Sequence, residues 1–269
     1  MKKITESSEP TPKMPVLFLG HGSPTNAIDE NEFVQGFRKV SAEMEVPKAI
    51  LVVSAHWETA GTKVTAMKHP PTIHDFGGFP KALYEIQYPA PGSPELAKET
   101  QNLINTTRVH LDDKWGLDHG AWTVIRHMYP KADVPVIQLS IDYRKTPAEH
   151  YVMAKELSKL REKGVLIIGS GNLIHNLQLA DWRRLNEYFA FDWALEANSK
   201  INEFILSGDH KSLINYSKQG KEFQLSIPTP EHYLPLLYTL ALQESKDSIS
   251  LFNNQPVGGS LSMTSVRIG

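Results

Sequence analysis

Apolar residues along the chain form short unbroken runs and longer stretches in which they recur every three or four positions. Unbroken runs are typical of strands buried on both faces, and the longer repeat predicts amphipathic helices. The predicted strands cover residues 16–20, 49–55, 63–67, 134–141, 165–169, 249–253 and 260–267. The predicted helices cover residues 31–44, 94–105, 120–129, 147–163, 186–206 and 232–243.

The alternation of predicted strands and helices favours a single α/β layered domain. No internal repeat or linker divides residues 14–269. Residues 1–13 are polar, contain two prolines and lack the apolar stretch of a secretory signal, so we expect a flexible leader there. Residues 69–80 carry three prolines and two glycines, which predicts a loop.

The composition excludes several kinds of site. The 28 basic residues are dispersed along a chain with 30 acidic ones, so we expect no nucleic-acid partner. No apolar run reaches the roughly 20 residues that span a bilayer, so we expect no membrane partner and a cytoplasmic location. Because the chain has no cysteine, any metal must be held by His, Asp or Glu.

Four histidines lie where a predicted strand ends or a predicted helix begins: His21, His56, His175 and His232. Ligands of open α/β sheets bind outside the carboxyl ends of the strands, so we expect these imidazoles to converge. Imidazole is the commonest metal ligand and the commonest general acid or base near neutral pH. The four histidines therefore predict an enzyme with a single metal.

Each of these histidines also has an interpretation that involves no ligand. His21 lies between two glycines and is compatible with a turn residue bonded to the backbone. His56 is compatible with a surface residue just past a strand. His175 follows a GSGN turn that could cap a helix, although the small residues also leave room for a bound molecule beside a general base or metal ligand.

Residues beside the four histidines are weaker candidates. Glu231 in a first helical turn is explained by the helix dipole as well as by metal binding, so His232 is the preferred ligand. His119 could contact substrate or solvent, and Asp118 before it could cap the next helix. His74 in the 69–80 loop could line a lid over the site.

Six motifs, in this order, resemble class III extradiol ring-cleaving dioxygenases and, more narrowly, the 4,5-DOPA extradiol dioxygenase group: GHGSP, SAHWE, HDFGGFP, GLDHGAW, GSGNLIHN and PTPEHYLPL. The resemblance runs from about Val16 to Arg267. It implies a central mixed, largely parallel sheet flanked by helices, with a catalytic domain over residues 14–269. The implied reaction inserts both atoms of O2 into a catechol ring.

The resemblance also implies the metal site. One non-haem metal would be held by His21, His56 and His232, with His175 as an acid–base residue that can also close on the metal. The wider class usually has two histidines and a carboxylate, the set expected for Fe(II) enzymes that activate oxygen. A third histidine suits Zn(II) as well, so we expect Fe(II) for turnover or Zn(II) in the isolated protein.

The remaining expectations concern substrate and alternatives. His119 is a candidate catalytic and substrate-binding residue, and His74 a candidate substrate contact. We expect a catechol-type molecule and O2 as partners, and a monomer or small homo-oligomer. A zinc-dependent hydrolase of the same broad fold is the alternative enzyme, which oxygen dependence would distinguish, and a non-catalytic binding module is the third possibility. A GxSxG serine motif and the HExxH zinc motif are absent from the sequence.

Overall fold

The structure is a computed structural model that describes residues 13–185 and 187–269. The strands are β1 (Val16–Gly20), β2 (Ala49–Thr59), β3 (Thr62–Thr65), β4 (Val109–Asp112), β5 (Val136–Asp142), β6 (Val165–Gly171), β7 (Ile249–Phe252), β8 (Pro256–Val257), β9 (Leu261–Ser262) and β10 (Ser265–Ile268). The α-helices are α1 (Glu32–Ala42), α2 (Lys81–Tyr84), α3 (Pro94–Leu103), α4 (His119–Met128), α5 (Pro147–Lys155), α6 (Ser158–Glu162), α7 (Asp192–Ser207), α8 (His210–Ile214), α9 (Lys221–Ser226) and α10 (Leu234–Leu240).

Within those ranges eight strands form one sheet, in the order β4-β3-β5-β2-β6-β1-β10-β7, and β8 pairs with β9 in a separate hairpin. The central strands β5, β2, β6 and β1 run parallel to one another. Strand β3 is antiparallel to β5, and β10 is antiparallel to both β1 and β7. This arrangement confirms the predicted single α/β domain with a central mixed, largely parallel sheet.

Helices cover both faces of the central strands. Val16 and Phe18 of β1 pack into one core with side chains of α5, α7 and α10, whereas Leu17 and Leu19 pack into a second core with α1 and α4. Successive side chains of a strand point to opposite faces. The unbroken apolar runs of the sequence therefore follow from burial on both sides of the sheet.

The structure differs from the predicted elements in several places. The strand predicted over residues 260–267 is divided into β9 and β10, which belong to different sheets. The helix predicted over residues 147–163 is divided into α5 and α6, because the backbone N–H groups of Glu156 and Leu157 bond to carbonyls three residues earlier and tighten the chain there. Strand β4 was not predicted. It is a four-residue edge strand on which Leu111 is exposed, so its residues lack the apolar pattern of a buried strand.

Two sequence predictions fall on residues outside the described ranges. The leader predicted over residues 1–13 is outside them except for Lys13, whose ammonium lies 2.7 Å from Glu244 and 3.2 Å from Asp247. Asn186, where a helix was predicted to begin, is also outside them, and α7 begins at Asp192. Among the helices of the described chain, none is both long and apolar enough to cross a bilayer.

A buried arginine joins three segments at the amino ends of the central strands. Arg161, which is 1% exposed, donates through Nε to the Met14 carbonyl (2.8 Å) and through Nη1 to the Leu242 carbonyl (2.7 Å). Its Nη1 also donates to Asp247 Oδ2 at 2.6 Å. Burial alone would raise the pKa of the Asp247 carboxyl, but the hydrogen bond from Arg161 lowers it to about 2.

Candidate active site

The pairing of β1 with β6 brings two of the predicted site histidines to one edge of the sheet. His21 follows β1 directly, and its backbone N–H donates to the Gly171 carbonyl at the end of β6 (3.1 Å). The next residue of that segment, Asn172, donates its backbone N–H to the His232 carbonyl (2.9 Å). The turn that carries His232 is therefore attached to the carboxyl end of β6, as the strand-end argument requires.

His56 lies within β2 rather than just past it. The strand continues to Thr59. Val53 pairs with Leu139 of β5, and the next pair joins Glu58 to Ile141, so five residue steps along β2 correspond to two along β5. Such an irregularity leaves residues unpaired and redirects their side chains, and it occurs often beside active sites. The shift accounts for a half-buried polar side chain in an otherwise apolar strand.

Two glycines permit the close backbone approaches on which the site depends. A Cβ atom on Gly120, in the first turn of α4, would stand 2.5 Å from Ser54 Oγ and 2.9 Å from His56 Cδ2. A Cβ atom on Gly171 would stand 2.1 Å from the His232 carbonyl oxygen. Any side chain at either position would displace a segment that holds a site histidine.

Three imidazoles from separate segments converge. His21, His56 and His232 each offer a ring nitrogen, and these nitrogens all lie within 4.8 Å of one another. The closest pair is His21 Nε2 and His56 Nε2, at 3.2 Å. The ring of His232 is centred 5.4 Å from that of His21 and 5.0 Å from that of His56. The structure therefore brings the three predicted metal ligands together.

The Nδ1 atom of each of these rings faces an oxygen. Ser170 Oγ lies 3.0 Å from His21 Nδ1 and gives its own hydrogen to the Gly120 carbonyl, so His21 is the donor of that contact. Asp75 Oδ2 lies 3.6 Å from His56 Nδ1, and Glu231 Oε1 lies 3.2 Å from His232 Nδ1. A hydrogen on Nδ1 leaves Nε2 with a lone pair, which is the arrangement found around metal-bound histidines.

His175 and His119 complete the group, and we call the five residues His21, His56, His119, His175 and His232 the histidine cluster. The ring of His175 stacks on that of His232, with centroids 3.6 Å apart. The ring of His119 is centred 3.9 Å from that of His56. Its Nδ1 lies 3.0 Å from Asp75 Oδ2, an ion-pair distance at which the N–H is poorly aligned for a hydrogen bond.

Burial keeps most of the cluster uncharged. It lowers the pKa of His21 and of His232 well below 6.5, and the neighbouring imidazoles lower both further. Burial followed by the charge of His119 lowers the pKa of His56 to about 3. Burial also lowers the pKa of His175 to about 4. These four imidazoles are neutral near pH 7, and each has a nitrogen lone pair that a cation can accept.

A cavity of about 590 Å³ lies over the histidine cluster, a size typical of small-molecule sites. All five cluster histidines line it. The aromatic residues that line it are Phe33, Phe76, Phe79, Trp182 and Tyr188. Trp182 is 63% exposed, which places its ring at the solvent side of the cavity. The cavity therefore suits a flat apolar molecule whose polar end reaches the imidazoles.

The neighbours of the histidines differ in part from expectation. Asp118 caps α4 as predicted, accepting from the Ala121 backbone N–H, and its carboxylate also accepts from Ser54 Oγ and Gln138. The oxygens that support the imidazoles come from Ser170, Asp75 and Glu231. Among the described residues His74 is not part of the cavity lining, since its Nε2 donates to the Ile86 carbonyl at 3.0 Å.

Sequence comparison assigns the chain to a family. The pattern of the family described as the catalytic LigB subunit of aromatic ring-opening dioxygenase matches residues 12–260. The chain belongs to this family. This LigB-family chain is 46% identical over 266 residues to the 4,5-DOPA dioxygenase extradiol of Escherichia coli (strain K12), a match that covers 96% of this chain and 95% of the relative.

Other relatives agree with the assignment. The 4,5-DOPA dioxygenase extradiol of Beta vulgaris is 36% identical, over 93% of this chain and 95% of its own length. A crystal structure of an uncharacterized Escherichia coli K12 protein matches the fold with a TM-score of 0.80 and 40% identity, over 95% of this chain and 100% of that one. The predicted resemblance to class III extradiol enzymes is confirmed, and the protein is an oxidoreductase of the dioxygenase class.

Proposed function

We propose that the chain cleaves the ring of a catechol with O2 at a single metal held by His21, His56 and His232. One observation carries the proposal: three neutral imidazoles from separate segments present nitrogens within 4.8 Å of one another at a cavity with aromatic walls. We assign this activity to the whole of residues 14–269, since the site draws on segments from β1 to the turn before α10.

The donor set fits a divalent transition metal. With Nδ1 of His21 as a donor, its Nε2 lone pair faces His56 Nε2 at 3.2 Å, and two such lone pairs repel unless a cation or a proton lies between them. Neutral imidazoles suit both Fe(II) and Zn(II). We propose Fe(II) for turnover and Zn(II) as an unproductive occupant. The bound iron would gather the catechol and O2 and pass electrons between them.

His175 is the proposed acid–base residue. It lines the cavity and stacks on His232, so its ring lies beside the ligand set. Burial lowers the pKa of His175 to about 4, so it is a neutral imidazole near pH 7 with a lone pair that can accept a hydrogen bond from a catechol hydroxyl. That hydroxyl becomes more acidic when it binds a metal, and His175 would then accept its proton. It would return that proton to an oxygen of the opening ring.

His119 is the proposed substrate contact, because it lines the same cavity on the side of His56. The aromatic side chains opposite, including Phe76 and Trp182, would hold the catechol ring in place and exclude water. We propose a catechol of the DOPA type as substrate, on the strength of the relatives that carry that name.

Oxygen consumption tests the proposed function. Metal-free protein would be loaded anaerobically with one equivalent of Fe(II), mixed with L-DOPA and oxygen, and followed with an oxygen electrode and by visible absorbance. We expect one O2 consumed for each yellow ring-opened product formed. Zn(II)-loaded protein is the matched control and should consume none. If protein with a full equivalent of Fe(II) consumes no oxygen with L-DOPA or simple catechols, the proposal fails and a zinc hydrolase becomes the better hypothesis.

A further inference from the structure

One carboxylate joins three parts of the site. Asp75 belongs to the 69–80 loop, and its side chain is largely buried. Its Oδ1 accepts a hydrogen bond from the His119 backbone N–H at 2.8 Å, at the first residue of α4. Its Oδ2 lies 3.0 Å from His119 Nδ1 and 3.6 Å from His56 Nδ1. The same side chain therefore contacts a loop, a helix start and the irregular part of β2.

The chemistry of a carboxylate restricts the two imidazoles that it faces. An ionised carboxylate only accepts hydrogen bonds, so a ring nitrogen beside it is stabilised when that nitrogen carries the hydrogen. For His56 the consequence is a lone pair on Nε2, the atom that lies 3.2 Å from His21 Nε2. At 3.6 Å the contact with His56 is longer than a hydrogen bond, so Asp75 acts on His56 through its negative charge, which stabilises the ring with its hydrogen on Nδ1.

We propose that Asp75 is a positioning residue that holds His56 and His119 in the Nδ1–H tautomer, which keeps Nε2 of His56 available to the metal and Nε2 of His119 available to the substrate. The loop that carries Asp75 also supplies Phe76 and Phe79 to the cavity wall. Through Asp75, the position of Phe76 and Phe79 is therefore linked to the orientation of the His56 ring. The inference rests on the proposed function in one respect, namely that His21, His56 and His232 hold the metal.

Two variants separate this role from a purely structural one. In Asp75→Asn the amide oxygen can still accept the His119 backbone N–H, so the attachment of the loop to α4 is retained. The amide nitrogen then replaces Oδ2, and because it donates, it favours imidazoles with the hydrogen on Nε2. In Asp75→Ala both contacts are lost. Asp112→Asn is the matched control, because Asp112 also accepts loop backbone N–H groups but faces the Lys63 ammonium instead of an imidazole.

The test measures binding of Zn(II) and Co(II) to metal-free protein by competition with a chromogenic chelator, together with thermal unfolding. We expect Asp75→Asn to weaken Zn(II) affinity about 10- to 100-fold at unchanged thermal stability and to alter the visible spectrum of bound Co(II). Asp75→Ala should lower thermal stability as well. Asp112→Asn should bind both metals like the unsubstituted protein. Imidazole nitrogen shifts in Zn(II)-loaded protein should show Nδ1–H for His119, and Nε2–H for His119 in Asp75→Asn.

The outcomes distinguish the two proposals. If the unsubstituted protein binds Zn(II) and Asp75→Asn binds it equally tightly, with unchanged imidazole tautomers, the positioning role is overturned and the proposed function is untouched. Weakened binding in Asp75→Ala alone would assign Asp75 to loop attachment and would also overturn it. If the unsubstituted protein binds neither metal, the proposed metal site fails, and the role of Asp75 toward it fails with it.

Discussion

The two ends of the central parallel strands bury polar groups in opposite ways. At the amino ends, Arg161 donates to two carbonyls and to the Asp247 carboxylate, so a buried charge is surrounded by acceptors. At the carboxyl ends, five imidazoles line one cavity, and their mutual repulsion adds to burial in lowering the pKa values of His21, His56 and His232.

This difference shows what each group contributes. A buried charge that is fully engaged by acceptors holds chain segments together, and removing it leaves those acceptors without a partner. Neutral imidazoles are held by the oxygens beside their Nδ1 atoms, but they gain little from the contacts between their Nε2 atoms. The segments that carry these rings keep them together, and a cation between their Nε2 atoms would attract the nitrogen lone pairs. Stability should therefore depend on the arginine end, and activity on the histidine end.

The largest effect is expected when a ligand is removed from the histidine end. His56→Ala should lose the metal and lower kcat/KM by roughly a thousandfold or more. Because His56 is only half-buried and its Nδ1 lies 3.6 Å from Asp75, beyond hydrogen-bond distance, thermal unfolding of the metal-free protein should change little. Metal content after dialysis and a thermal melt measure the two effects. A variant that retains a full equivalent of metal would remove His56 from the ligand set.

The next largest effect tests whether His175 is a metal ligand or an acid–base residue. His175→Ala should keep about one equivalent of Fe(II) but lower kcat by roughly 10²- to 10⁴-fold, because proton transfer to and from the catechol is lost. His110→Ala, on the exposed side of β4, is the control and should be fully active. Loss of metal in His175→Ala would show that His175 is a fourth ligand.

At the other end of the strands, Arg161→Met should destabilise the fold by about 3–5 kcal/mol, because Asp247 and two carbonyls lose a buried partner. The free energy of unfolding from urea titration measures this. The Fe(II) affinity of the folded fraction should be unchanged. A loss in the free energy of unfolding below about 1 kcal/mol would mean that water replaces the guanidinium. Stability would then not depend on the arginine end.

His150 is a buried histidine outside the histidine cluster, so its pKa shows the effect of burial without the effect of neighbouring imidazoles. His150 is buried, its Nδ1 lies 2.8 Å from the Tyr238 hydroxyl oxygen, and burial lowers its pKa to about 4 from 6.5. A depressed pKa contributes stability above pH 6.5 that is lost as pH falls toward 4, by about 3 kcal/mol. Unfolding of His150→Gln should therefore depend less steeply on pH across that window. The prediction is wrong if the free energy of unfolding changes equally with pH in His150→Gln and in the unsubstituted protein between pH 4 and 6.5.

The sequence predicts the framework, and it predicts that His21, His56 and His232 lie close together. Strand β1 has the predicted bounds, and the ends of β1 and β6 carry His21 and His175 to one edge because parallel strands share a direction. The sequence predicts that His56 follows the end of a strand, but His56 lies inside β2, in the stretch where the pairing with β5 is irregular. His232 was recognisable only by its position before a helix.

The supporting residues could not be predicted from the sequence. Asp75 lies 19 positions along the chain from His56 and 44 from His119, in a loop whose path depends on packing of the whole domain. Ser170 was visible only as one residue of a glycine-rich turn. The break between α5 and α6 has no proline or glycine to mark it, and His74, beside Asp75, bonds a carbonyl outside the cavity lining.

The irregular pairing of β2 has a consequence for how such a site could change over time. Among the described residues, β2 makes no pair with β5 between Val53 and Glu58, whereas its pairs with β6 continue to Ser54. A change of length after Ser54 would therefore alter the β5 side of the strand and leave the register of the β6 pairs, which end at Ser54, as it is. The pairing that builds the sheet and the placement of the His56 imidazole are thus set by different residues, so evolution can redirect this ring while the sheet keeps its order.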